Sequence, residues 1–99
     1  MSDIKHYVSS EATDLDIDAI FDYTERKHSF NQAIKYLLSL KSVFESLVIN
    51  PRIGRELNEI KLGLYSITEQ EHVIFYRILK NHIRIVRVLH GSKDIPKQF

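Results

Sequence analysis

The hydrophobic period of this chain changes once, at Asn50-Pro51, and that change limits the fold more than any other feature. Upstream, Ala33, Leu37, Leu40, Phe44 and Leu47 recur at i, i+4, i+7, i+11 and i+14, the stripe of an amphipathic helix. Ser29-Phe30-Asn31-Gln32 is an S-x-x-Q capping box that opens this helix, expected over Phe30 to Leu47. Asn50-Pro51 closes it, because the residue before proline avoids the α region. An earlier helix is expected from Glu11 to about Arg26, with Ser9 and Ser10 as candidate caps and acids in its first half, where the helix dipole favours them. The link Lys27-His28 is too short for anything but an antiparallel helical hairpin. The first helix is apolar on two sides, with Ala12, Leu15, Ala19 and Tyr23 on one face and Ile17, Ile20 and Phe21 on another. Such a helix is expected to be covered twice, by the second helix and by a sheet; a partner on one face is the alternative.

Downstream of Pro51 the runs Leu62 to Thr68, His72 to Leu79 and Ile83 to His90 are rich in β-formers. They are separated by Glu69-Gln70-Glu71 and Lys80-Asn81-His82, links that predict two consecutive antiparallel hairpins. Ile4 to Val8 adds a short first strand, expected at an edge of that meander. The chain therefore reads as α+β: an N-terminal strand, then a helical hairpin packed on an antiparallel β-meander, in a single domain over residues 1–99. One sheet face is expected to stay open. The tail, Gly91 to Phe99, has little pattern and is expected to contribute little core.

Composition removes several classes of function. There is no cysteine, so disulfide, thiolate-zinc and cysteine-nucleophile chemistry are excluded. The N-terminus lacks a basic segment followed by an apolar one, so no signal peptide is expected. The apolar runs are strand-length, too short for a bilayer. His6, His28, His72, His82 and His90 show no metal-ligand spacing, and no glycine-rich phosphate loop or nucleophile elbow occurs, so neither metal nor cofactor is expected. Asp14, Asp16 and Asp18 point in three directions from a helix and cannot form a paired-carboxylate site. Charge is uneven: residues 1–25 carry seven acids against Lys5, a net −6, while residues 26–99 carry thirteen bases against six acids, a net +7. A basic body facing an acidic partner and a solvated acidic helix beside a mildly basic sheet both fit this.

The arginines of the meander hold the most chemistry. Simple alternation puts Arg84 on one face with Val86, Val88 and His90, and Arg87 on the other with Ile83, Ile85 and Leu89. An arginine on an apolar face either snorkels at an edge or binds an anion. Arg52 and Arg55 are expected to solvate a turn, and Tyr65, Phe75 and Tyr76 to pack rather than stack on bases. Composition and spacing stop at a domain that could bind nucleic acid, bind a peptide or do neither.

Four pieces in order then resemble the ParE branch of the RelE/ParE toxin superfamily. They are Gln32-Ala33-x-x-Tyr36-x-x-x-Leu40, Asn50-Pro51-Arg52-Ile53-Gly54-Arg55, His72-Val73-Ile74-Phe75-Tyr76-Arg77-Ile78, and Ile83-Arg84-Ile85-Val86-Arg87-Val88-Leu89-His90 closing with Asp94. The resemblance implies the RelE/ParE-like toxin fold and a cytoplasmic type II toxin, active in growth inhibition and plasmid maintenance and neutralised by a cognate antitoxin. ParE-like toxins inhibit DNA gyrase without being nucleases, whereas RelE-like relatives cut messenger RNA on the ribosome with lysines, arginines and a C-terminal Tyr or His. In place of the lysines this chain has Leu64-Tyr65-Ser66-Ile67-Thr68, in place of an early arginine His72-Val73, and Ile95-Pro96-Lys97-Gln98-Phe99 holds no Tyr or His. It departs from the ParE pattern as well, with Gly63-Leu64-Tyr65 where Gly-Leu-Arg is common and Lys27-His28-Ser29 where an aromatic-glycine pair is common.

The expectations are therefore a non-catalytic inhibitor of gyrase or topoisomerase IV, with no membrane partner and no sequence-specific DNA binding by the chain alone; a homodimer stays open. Target contacts are assigned to Arg84, His90, Ser92, Lys93 and Asp94, and antitoxin contacts to Leu15, Ile20, Tyr23, Arg77 and Arg87. A ribosome-dependent endoribonuclease using Arg77, Arg87 and His90 is the alternative, followed by an inactive toxin that only binds its antitoxin.

Overall fold

The structure is a computed structural model and describes residues 3–92 and residue 99. Its elements run β1 (His6–Ser9), α1 (Glu11–Lys27), α2 (Phe30–Ile49), a 3-10 turn (Pro51–Ile53), β2 (Arg55–Glu56), β3 (Leu64–Glu69), β4 (His72–Ile78) and β5 (His82–His90). Both helix starts follow from their caps. The Ser10 side chain accepts from Thr13 N–H and the Ser29 side chain from Gln32 N–H, each satisfying a donor that the first turn leaves unpaired. The sheet order is β1-β5-β4-β3-β2. β1 pairs parallel with β5 and the other pairs are antiparallel, so the first strand does join an edge of the meander. The two-residue β2 on the far edge is too short to carry a periodicity, and the sequence reading did not include it.

The second-helix stripe forms the core. Leu40, Phe44 and Leu47 are buried against Tyr65, Ile74, Tyr76, Ile83, Ile85 and Val88 on the inner face of the sheet, with Ile17 and Ile20 of α1 packed at the margin. Tyr65, Phe75 and Tyr76 are packing residues, as their spacing predicts. Three expectations are corrected. The face of α1 that carries Ala12, Leu15, Ala19 and Tyr23 is not covered: Leu15 is 65% and Tyr23 50% exposed. The outer sheet face is not fully open either. Leu57, Leu64, Phe75 and Leu89 form a second buried cluster there, against which Ile60 and Phe99 pack. The Phe99 ring meets Phe75 edge-on at 5.0 Å, so the last residue belongs to a core and removing the tail would remove packing.

A bulge in β5 corrects the assignment of faces. The register of β4 against β5 shifts between Phe75 and Tyr76, which pair with Arg87 and Ile85 and leave Val86 as the extra residue. One extra residue reverses which side each later position faces. Val88 therefore joins Ile83 and Ile85 in the inner core, while Val86 and Leu89 belong to the outer cluster. Simple alternation had placed Val86 with Val88, and Leu89 with Ile83.

The turn after α2 is locked by one side chain. The fully buried Tyr76 hydroxyl donates to Pro51 O at 2.7 Å and accepts from Gly54 N–H at 3.0 Å. A Cβ on Gly54 would stand 2.5 Å from both Ser66 O and the Tyr76 hydroxyl, which explains the glycine. Tyr76→Phe strands both backbone groups and is expected to cost about 1–3 kcal/mol. Gly54→Ala, which forces backbone apart, should cost at least as much. Urea denaturation checks both, and an unchanged midpoint for Tyr76→Phe would show that the lock is not needed.

Candidate functional site

β1 ends at Ser9, but β5 continues to His90, which leaves an open strand edge. The N-terminal turns of α1 close it. Ser10 N–H and Thr13 Oγ1 both donate to Ile85 O at 3.0 Å, and Ser10 Oγ donates to Val86 O at 2.9 Å. One turn on, Asp16 Oδ2 accepts from Val88 N–H at 3.0 Å. Three side chains spaced i, i+3, i+6 thus pair the backbone around the bulge. The same carboxylate takes both arms of Arg87, Nε at 2.8 Å and Nη2 at 2.9 Å, a bidentate pair. These bonds raise the Arg87 pKa above its ordinary value. Its charge is therefore already matched within the chain.

The bulge also brings His90 to the inner side, opposite His72 of β4 and beside the C-terminal half of α1. Two adjoining clefts open there. One, of about 330 Å³, lies between α1 and β5 and is lined by Asp16, Ala19, Ile20, Tyr23, Arg87 and His90 among others. The other, of about 360 Å³, runs from Tyr23 to Tyr36 and the start of α2. Tyr23, Glu71 and His72 border both.

Hydrogen-bond accounting fixes the protonation of the clefts' histidines. The Tyr36 hydroxyl has one proton, and Glu69 O at 2.9 Å can only accept it. The 2.7 Å contact between Tyr36 Oη and His72 Nδ1 then makes His72 the donor, so neutral His72 carries its proton on Nδ1 and keeps Nε2 as an acceptor. His90 is the opposite: Ser92 N–H donates to its Nδ1 at 3.1 Å, which leaves the proton on Nε2, 4.0 Å from Glu71 Oε2. Burial lowers the His72 pKa below its usual range, and His90 nearby adds to the effect while Glu71 opposes it. Burial, with Glu69 and Glu71, pushes the Tyr36 hydroxyl up to about 12.

The structure divides the residues assigned from sequence between two surfaces. Leu15 and Tyr23 are exposed on α1, Ile20 lines the cleft beside it, and Arg87 is held against the same helix by Asp16. His90 lies at the cleft margin with the exposed Ser92 next to it. Arg77 and Arg84 are elsewhere, directly opposite each other on the outer sheet face. Lys93 and Asp94 lie outside the described residues. Sequence reasoning missed Thr13, Asp16, Tyr36 and His72 as parts of this site. The doublets Ile85-Val86 and Val88-Leu89 on either side of Arg87 break strict alternation and were the available signal for the bulge.

A pH dependence follows from His72. Its folded pKa is depressed, so below the unfolded value of about 6.5 the unfolded chain binds more protons than the folded one. Stability is then expected to be complete above pH 6.5 and to fall as the pH drops through the folded pKa. His72→Gln should flatten that slope between pH 7 and 5 in denaturation curves; an unchanged slope would assign it to other groups.

Comparison with known proteins agrees with the fold. Residues 7–95 match the family model described as the ParE toxin of the type II toxin-antitoxin system parDE. The chain is 34% identical over 92 residues to Toxin ParE1 of Mycobacterium tuberculosis, which covers 92% of this chain and 94% of the relative. It is 30% identical over 91 residues to Toxin ParE1 of Caulobacter vibrioides, again over 92% of this chain and 94% of the relative. A solved chain described as the chromosomal ParDE TA system from P. aeruginosa shares the fold, with a TM-score of 0.74 at 18% identity, over 88% of this chain and 95% of that one. The protein belongs to the ParE toxin family of type II toxin-antitoxin systems.

Proposed function

We propose that the protein acts in the cytoplasm as a non-catalytic inhibitor of DNA gyrase, or of its relative topoisomerase IV, and is neutralised by a cognate antitoxin. One observation favours this over RNA cleavage: the groups that cleavage would recruit are either already bonded within the chain or on the other sheet face. Attack by a 2′-hydroxyl on phosphate needs a base, an acid and an unpaired cation around one point. Here Arg87 is already bonded to Asp16, His72 Nδ1 is bonded to Tyr36, and Arg77 lies on the face away from His90. Purified protein is therefore expected to inhibit gyrase supercoiling and to leave ribosome-bound messenger RNA intact. A-site cleavage that disappears in His90→Ala would promote the endoribonuclease reading. Within this reading the target contact includes His90, Ser92 and the two residues after them. Because Phe99 packs on the sheet, that contact is tested by Lys93→Ala with Asp94→Ala rather than by deletion. The double variant should stay folded and lose toxicity on induction; full toxicity would make the segment inert.

The antitoxin is assigned to the uncovered face of α1 and the cleft beside it. Leu15 and Tyr23 expose apolar area there, Ala19 keeps the helix surface low between them, and Ile20 continues the patch into the cleft. A partner segment that folds as it binds would cover this strip. Leu15→Asp with Tyr23→Asp leaves the core untouched and is expected to weaken antitoxin binding by about 100-fold, or ~2.7 kcal/mol. Calorimetry would show this, and unchanged affinity would move the partner to another surface.

A further inference from the structure

The outer face of the sheet carries a charge arrangement that neither the fold nor the antitoxin site uses. Tyr76 and Ile83 point to the inner core, so Arg77 and Arg84 point outward, and the register sets them directly opposite each other across β4 and β5. Like charges in that relation destabilise a sheet. Among the described residues no carboxylate pairs with either one; Arg77 Nη2 donates to Leu62 O at 3.5 Å. By contrast Arg87 has Asp16 and Arg55 has Glu59. In the next row, His6 and His82 stack at 5.4 Å, on the same face by alternation. The rows are about 6.7 Å apart, two strand residues. Neither strand carboxylate faces this side: Glu56 bonds Tyr65 and Glu69 bonds Ser39, both toward the helices. The α1 acids nearest to β5 are already engaged, Asp16 by Arg87 and Asp14 by Ser9.

We propose that this face binds the phosphate backbone of DNA, with Arg77 and Arg84 as the contacts. Planar guanidinium groups suit phosphate oxygens, and among the described residues no carboxylate competes for them. A peptide reads a sheet through a free edge, and here β4 and β5 have none at this point, because β1 flanks β5 and β3 flanks β4. A face whose charge comes from facing arginines, with no edge to extend, fits a polyanion lying across the strands. The separation of acidic helix and cationic sheet would orient the molecule on approach. The inference deepens the topoisomerase reading, since DNA is what such an enzyme holds.

Fluorescence anisotropy with a labelled 20-nucleotide single strand and its duplex, at 50 mM salt, tests it. The intact protein should bind both, and Arg77→Gln with Arg84→Gln should bind at least tenfold more weakly. The salt slope on duplex should fall by about 1.8, the value for two lost phosphate contacts. Circular dichroism should be unchanged, because the substitution relieves a like-charge pair. Lys27→Gln with Lys41→Gln removes the same charge from the helical side and should leave binding within twofold. Three results would overturn the proposal: no DNA binding by the intact protein, equal weakening by both double variants, or polyglutamate binding as tightly as DNA, which would make the occupant an acidic protein segment. No topoisomerase enters this test. Failure to inhibit gyrase would therefore sink the reading above and leave the site standing, while full inhibition without DNA binding would sink only this one.

Discussion

The seam between α1 and the free end of β5 supports both the fold and the candidate site. A strand that outruns its neighbour exposes backbone groups that must be paired. In this chain Ser10, Thr13 and Asp16 pair them from one helix face, at the point where β5 takes up an extra residue. Thr13 is fully buried and so is the least replaceable of the three. The bulge and the helix are interdependent. Without the extra residue the carbonyls of Ile85 and Val86 would not both reach α1, and without α1 the bulged edge would be open. Everything distal on β5 inherits the shift, including the inward position of His90 and the bond from Arg87 to Asp16.

The sheet then has two working faces of opposite character. The inner one is packed against α2 and ends in the cleft that His72, His90 and Tyr23 line. The outer one is sealed at one end by Leu57, Ile60 and Phe99 and cationic at the other. The seven carboxylates of residues 1–25, which with Lys5 give that segment a net charge of −6, lie mostly on α1. A total of +1 therefore conceals a strongly polarised molecule, which explains why net charge alone said little about partners.

Much of the fold was legible because it rests on local signals. Ser10 and Ser29 set their helix starts, Pro51 closes α2, and the period-two runs mark β3, β4 and β5 to within a few residues. The site was less legible because it depends on a non-local slip. Alternation read along β5 fails at Val86, where the partner strand and not the sequence nearby decides which side a residue faces. Asp16 reads as one more solvated acid until Val88 N–H and Arg87 are placed beside it. Phe99 reads as a patternless tail because its partner, Phe75, lies on another strand. The double apolar character of α1 was visible, but whether its second face was covered depended on where α2 docked.

The arrangement gives a physical basis for neutralisation without a shared catalytic centre. An antitoxin segment seated on Leu15, Ala19 and Tyr23 would enter a cleft that His90 borders. Ser92 bonds His90 directly and so lies at the rim of that same cleft. Covering the cleft would therefore hinder any target contact made from the end of β5, even though no target residue is bound. The arginine pair on the outer face would stay uncovered by such a partner, since the sheet itself stands between them. Inhibition by the antitoxin would then act on the contact with the target protein and leave the electrostatic attraction of the outer face intact.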